Sequence, residues 1–210
     1  MTPQETSHYF SEQPRGAEVR RTITAHVWGR ELTLITAGGV FASDGLDRGT
    51  AVLLRSSPVP VGSPRILDLG CGYGPIALAI AVHCSGARID AVDVNERALA
   101  LCHDNAVALG VADRVRVLRP DGVEPDVRYD EIWSNPPIRI GKQNLHEVLL
   151  SWLARLAVDG VARLVVGKNL GADTLQRWLI EQGYACERTA SAKGFRVLVA
   201  RNGEQPPSFR

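Results

Sequence analysis

The stretch Ile66-Leu67-Asp68-Leu69-Gly70-Cys71-Gly72-Tyr73-Gly74 decides the fold of this chain. An apolar strand runs straight into a G-x-G-x-G turn, where Gly70, Gly72 and Gly74 lend backbone freedom and leave no side chain in a ligand's way. Pro75 follows at a position suited to the first residue of a helix, and Ile76-Ala77-Leu78-Ala79-Ile80-Ala81-Val82 reads as a helix buried on most of its surface. Strand, glycine turn and helix in that order mark the ligand-binding edge of an open α/β sheet.

Dinucleotide-binding proteins use a similar turn, but two details separate this one. The spacing is G-x-G-x-G rather than G-x-G-x-x-G, and Asp68 stands just before it, where a carboxylate would oppose a pyrophosphate. A cationic ligand fits better, and the sulfonium and amino groups of S-adenosyl-L-methionine are such charges. A second strand, residues 88–94, brings Asp93 and Val94 about twenty positions past the glycines, where a carboxylate suits the two hydroxyls of a ribose. Asn95 beside it is equally suited to capping the next helix. A third strand, residues 115–118, runs into Pro120-Asp121-Gly122; Asp121 is either an adenine ligand or half of an Asp-Gly turn with Gly122.

Strand Tyr129-Asp130-Glu131-Ile132-Trp133 leads into Ser134-Asn135-Pro136-Pro137-Ile138. An aryl amine is a poor nucleophile because its lone pair is delocalised into the ring. Two acceptors aimed at its N–H bonds pull the nitrogen toward tetrahedral geometry. The Asn135 side-chain oxygen and the Pro136 carbonyl are such a pair, and the two prolines hold the loop extended and rigid. The site gains by preorganisation and needs no general base of shifted pKa.

Taken together, D-x-G-x-G-x-G, Asp93, Asp121 and N-P-P-I resemble the class I S-adenosylmethionine-dependent methyltransferases. Residues 39–49 upstream, Ser134 to Lys142 downstream, His8-Tyr9-Phe10-Ser11 and Lys193-Gly194-Phe195-Arg196-Val197 resemble the RsmC-like branch, so the similarity covers roughly residues 8–201. The resemblance implies a Rossmann-like methyltransferase fold: a mostly parallel seven-stranded sheet, helices on both faces, and a C-terminal antiparallel hairpin. It implies S-adenosyl-L-methionine as cofactor, held by Asp68, Gly70, Cys71, Gly72, Gly74, Asp93, Val94, Asp121, Gly122 and Asn135. It further implies methyl transfer at Asn135, Pro136, Pro137 and Ile138 to the exocyclic N2 amine of a guanine in small-subunit ribosomal RNA.

Two departures bear on the target. Relatives acting on adenine or protein glutamine commonly carry an aromatic residue where this chain has Ile138, which argues for guanine and leaves stacking to Phe41 or Phe195. Long RsmC-type proteins carry two related domains, and the resemblance of these residues is to the catalytic one. A methyltransferase of a small molecule or protein amide, and a non-catalytic assembly module, are the competing readings. A nicotinamide-dependent dehydrogenase is disfavoured by the glycine spacing.

The 210 residues, 45% hydrophobic, suffice for one sizeable core, and no apolar run is long enough to cross a membrane. Cys71, Cys84, Cys102 and Cys186 show no paired metal spacing, and the five histidines are scattered. The cysteines read as reduced, buried thiols, so a cytoplasmic, metal-free monomer or weak dimer is expected. A net charge of +1 is low for a nucleic-acid binder, but the basic residues are unevenly placed. Arg15, Arg20, Arg21 and Arg30 crowd the first segment, Arg139, Lys142 and Lys168 follow the presumed catalytic strand ends, and Lys193 and Arg196 lie in the terminal hairpin. Of these, Arg139, Lys142 and Lys168, with Phe41, are the substrate-binding candidates.

A hairpin is expected across Val27 to Ile35, then a short helix over residues 44–55, then a Pro- and Ser-rich linker over 56–64. Residues 1–64 form an N-terminal lid rather than an independent domain, and residues 65–210 the methyltransferase domain. From residue 65 strands and helices alternate: a helix over 146–156, a strand over 163–166, a helix over 174–181, and a closing β-pair over 185–190 and 195–200. In the lid, Asp47 and Thr50 are placed to touch the methionine end of the cofactor, and Ser43 or Asp44 to cap the helix.

Overall fold

Alternating side chains of strand β3 (Arg65–Leu69) divide the molecule into two cores. Ile66 points into one, Leu67 and Leu69 into the other. The computed structural model describes residues 19–42, 45–137 and 140–203; the expectations for His8 to Ser11, Arg15, Ser43, Asp44, Ile138 and Arg139 lie outside them.

Beside β3 lie β4 (Arg88–Val92) and β5 (Val115–Leu118) on one side, and β6 (Tyr129–Ser134) and β7 (Leu156–Gly167) on the other. All five run parallel, and the sheet closes with β8 (Tyr184–Ala192) and β9 (Phe195–Asn202) in the order β5-β4-β3-β6-β7-β9-β8. β9 is antiparallel to both its neighbours, which makes the C-terminal hairpin expected of the fold. The chain leaves β3 toward β4 and β5, then returns to the opposite side of β3 as β6. That reversal opens a crevice at the carboxyl ends of β3, β4 and β6.

Helices α1 (Arg48–Ser56), α2 (Pro75–His83) and α3 (Glu96–Ala108) pack on the Ile66 side, and α4 (Lys142–Leu153) and α5 (Ala172–Glu181) on the other. A separate two-stranded sheet, β1 (Arg20–Val27) and β2 (Arg30–Ala37), joins the first core through Ala25, Val27, Leu32 and Leu34. Its turn residue Trp28 meets His83 edge-on, with centroids 5.2 Å apart, and Trp133 at 6.3 Å. Helix α2 is therefore covered from both sides, which is why its sequence is apolar around its whole circumference.

Several elements differ from the expected bounds. β1 begins at Arg20, earlier than expected, and alternates in exposure only from Ile23 onward; its first three residues are all exposed. The helix expected over residues 146–156 is Lys142–Leu153, and Leu156 opens β7 instead, paired with Tyr129. Exposed Asp159 and the register shift between Tyr129 and Glu131 interrupt the early part of β7, which hid half a strand from a periodicity reading.

Candidate active site

The glycine turn is anchored from beneath. Gly70 and Cys71 N–H both donate to the Val92 carbonyl at the end of β4, at 2.8 and 3.0 Å. Gly70 and Gly72 hold φ of +75° and +56°, and a Cβ at either meets nothing within 4 Å. Their outer faces are thus open, and any side chain there would strain the backbone. Gly74, with φ +92°, caps α2 without lining the crevice; a Cβ there would lie 2.6 Å from Cys102 Sγ.

Asp93 leaves the end of β4 and accepts from Gly72 N–H at 2.8 Å and Asn95 N–H at 2.9 Å. Burial pushes its carboxyl above the usual range, while the N–H groups of Asn95, Gly72 and Val94 pull it down. Asn95 does cap α3, accepting from Ala98 N–H at 3.1 Å, and also donates to the Gly39 carbonyl of the lid.

Asp68, expected among the cofactor residues, faces the first turn of α2. It is fully buried, does not line the crevice, and accepts from Ala77 N–H at 2.9 Å. Gly74 has no side chain with which to cap α2, so Asp68 satisfies one of the helix's first orphan donors from the strand below. Burial, and secondarily the charge of Asp93, lift its carboxyl to about 7 against the pull of the Ala77 N–H.

Asn135 follows β6, and both of its amide hydrogens are engaged. Nδ2 donates to Asp47 Oδ2 at 2.7 Å and to Thr50 Oγ1 at 3.1 Å. Its carbonyl oxygen is left as the end available to a substrate. Ser134 below it donates to the Leu69 carbonyl at 2.7 Å, tying β6 to β3 immediately beneath the glycine turn.

These groups share a single cavity of about 710 Å³. Gly70, Cys71, Gly72, Asp93 and Val94 line it together with Asn135, Pro136, Pro137, Phe41 and Phe195. Burial raises the Cys71 thiol well above its ordinary range, so it stands in the wall as a neutral group. Pro120 belongs to the wall, whereas Asp121 is exposed beside Arg119 at 3.7 Å, and Gly122 lies outside the lining with it. Lys142 and Lys168 are exposed and do not line the cavity, although Asn144 and Gly167, close to them in sequence, do.

The residues fit an adenosyl ligand carrying a methionine arm: an open glycine turn, an acidic group at the end of the adjacent strand, and apolar walls. Three groups escaped the sequence reading. Asn144 lines the cavity from the first turn of α4. Tyr73 is buried and donates to the Gly45 carbonyl at 3.3 Å, pinning the lid. Asn105 clasps β2 and the glycine turn together. Asn144 and Asn105 sit in no recognisable motif, and Tyr73 fills a variable position of the glycine turn. The helix expected over residues 44–55 is Arg48–Ser56 and its cap is Asp47; Asp47 and Thr50 were expected at the methionine end of the cofactor, not against Asn135.

Comparison with known proteins agrees with this geometry. The family described as "Methyltransferase small domain" matches residues 31–199. The uncharacterized protein YbxB of Bacillus subtilis (strain 168) is 31% identical over 199 residues, which cover 93% of this chain and 98% of that protein. Ribosomal RNA small subunit methyltransferase C of Shewanella loihica is 32% identical over 163 residues, 75% of this chain and 46% of its own length. The structure of the T. thermophilus 16S rRNA N2 G1207 methyltransferase (RsmC) in complex with AdoMet and guanosine superposes with a TM-score of 0.76. It is 25% identical, and the match covers 90% of this chain and 52% of that one. The chain thus spans about half the length of the ribosomal RNA methyltransferases it matches. With glycine turn, Asp93 and Asn-Pro-Pro around one cavity, the chain belongs to the methyltransferase small domain family and is an RsmC-like, class I S-adenosyl-L-methionine-dependent methyltransferase.

Proposed function

We propose that the chain methylates the exocyclic N2 amine of a guanine in ribosomal RNA. The observation that carries this reading is the shared cavity, whose wall holds both the glycine turn with Asp93 and the Asn135-Pro136-Pro137 clamp. Asn135 Oδ1 and the Pro136 carbonyl accept the two N–H bonds of the amine, drawing its lone pair out of the ring and toward the donor. Pro136 and Pro137 hold that geometry before the substrate arrives, so no reorganisation is needed at the moment of reaction. When bound, the cofactor supplies an activated methyl: the N–C bond forms as the sulfur–carbon bond breaks, the electron pair stays on sulfur, and the nitrogen releases one proton to solvent.

Phe41, 45% exposed at the mouth, and Phe195 offer apolar faces to a flipped-out base. Exposed Lys142 and Lys168, close in sequence to the cavity residues Asn144 and Gly167, are cations that would meet phosphates of a bound strand and set its register. The RsmC structure that this fold resembles holds AdoMet and guanosine together, which supports guanine as the base.

The test is methyl transfer from labelled cofactor to small-subunit ribosomal RNA and to small ribosomal subunits, followed by nucleoside analysis. N2-methylguanosine is the expected product. Asn135→Ala is expected to lower the turnover about 100- to 1,000-fold, the usual cost of one preorganised polar contact. Label in any other nucleoside, or in protein alone, would overturn the assignment.

A further inference from the structure

We propose that Asp47 and Thr50 are positioning residues that lock the Asn135 amide in the orientation its chemistry requires. The inference rests on the N-methyl transfer proposed above and concerns the same site.

The two ends of a carboxamide are nearly equal in shape and opposite in function: one accepts, the other donates. An Asn135 turned by half a rotation would aim N–H groups at the N–H bonds of the target amine, and the clamp would repel what it has to hold. Nothing in Asn-Pro-Pro itself forbids that rotation. The lid does. Asp47 Oδ2 accepts from Asn135 Nδ2 at 2.7 Å, a charge-assisted bond, and Thr50 Oγ1 accepts at 3.1 Å. Reversing the amide would set its oxygen against a carboxylate oxygen.

Asp47 is itself held. The same Oδ2 accepts from Thr50 N–H at 3.0 Å as the cap of α1, and a helix N-terminus favours the negative charge. Gly49 leaves the space this requires: a Cβ there would stand 2.9 Å from Asp47 Oδ2 and 3.0 Å from Phe195 Cε1. One carboxylate thus serves the helix and the clamp together. It also polarises the Asn135 oxygen as positive charge develops on the nitrogen during transfer.

Both residues line the cavity, so contact with the methionine arm of the cofactor is the competing role. Asp47→Ser separates the possibilities, because Ser caps a helix about as well as Asp but is too short to reach Asn135. Thr50→Val removes the second acceptor with little change of shape.

The experiment measures three things on each variant: cofactor affinity by calorimetry, turnover on small-subunit ribosomal RNA, and the Asn135 side-chain amide signals in ¹⁵N NMR. We expect Asp47→Ser to lower kcat about 100-fold, the usual penalty of a misplaced contact. Cofactor Kd should stay within about twofold, and the amide signals should move toward those of a free carboxamide. Thr50→Val should lose about tenfold in kcat, roughly one hydrogen bond. Added to Asn135→Ala, neither should cost anything more, since they act through that residue.

Wild-type kcat and unshifted amide signals in Asp47→Ser would overturn the proposal. So would a Kd raised tenfold or more with kcat unchanged, which assigns Asp47 to the cofactor. If the wild type transfers no methyl to RNA yet Asp47→Ser frees the Asn135 amide, the lock stands and the RNA assignment falls.

Discussion

At the scale of single residues the most consequential group is Asp68. Its carboxyl, ordinarily near 3.9 in an unfolded chain, is lifted to about 7 by burial in the native state. The native protein therefore binds a proton that the unfolded chain has already released, throughout roughly pH 4 to 7. The stability this group contributes is fully present below about pH 4 and is lost as the pH rises through its native value. Asp68→Asn retains an acceptor for Ala77 N–H but cannot ionise. Thermal melts between pH 5 and 8 should show the wild type falling relative to Asp68→Asn as pH rises, with the difference levelling off above about pH 8. Parallel curves would mean that Asp68 does not titrate in this window. Asp93 has weaker cause to rise, since N–H donors from both the turn and the next helix stabilise its charge.

Between elements, Asn105 has the widest reach. It lies in α3 with every polar atom engaged: Oδ1 accepts from Ile35 N–H at 2.7 Å, and Nδ2 donates to the Ile35 carbonyl at 2.8 Å and the Tyr73 carbonyl at 3.0 Å. One buried side chain thus joins helix, lid sheet and glycine turn. Asn105→Leu would leave three backbone groups unpaired, and denaturant unfolding should report a loss of about 2 kcal/mol or more. A loss below about 0.5 kcal/mol would mean that water replaces those bonds. Such a residue was not legible beforehand. An asparagine on an amphipathic helix, as in Leu101-Cys102-His103-Asp104-Asn105-Ala106, carries no signal of its partners, which lie 70 and 32 positions away. The Asn-Pro-Pro loop and the glycine turn are different, because their special backbone states are written in adjacent residues.

For the molecule as a whole, the question is whether the two-stranded sheet behaves as a lid that opens or as part of the body. Its inward residues Ala25, Leu32 and Leu34 are at most 3% exposed and share a core with α2 and α3. Arg97 also donates to the Gly38 carbonyl at 2.7 Å, just past β2. One cooperative unit follows. Native-state hydrogen exchange should give the slowest amides of β2 and β3 the same opening free energy, within about 1 kcal/mol. Markedly faster exchange throughout β2 would identify a lid that opens on its own. No helix among the described residues is long and apolar enough to cross a membrane, and none of their His, Cys, Asp and Glu groups is placed to hold a metal.

The sequence by itself determined the strand–turn–helix around Gly70 to Gly74, the placement of Asp93 and Asn135 past the ends of their strands, and the parallel sheet they imply. Those features depend on neighbours a few positions apart, where backbone sterics and alternation act directly. Only the tertiary structure decided where each side chain looks. It turned Asp68 under α2 instead of toward the crevice, left Asp121 outside the wall, and brought Asp47 against Asn135 across 88 positions. The physical reason is packing. Which face of a strand is covered, and by which helix, is settled by burial of apolar surface across the whole chain. The direction and partners of a polar side chain at a strand's end follow from that choice.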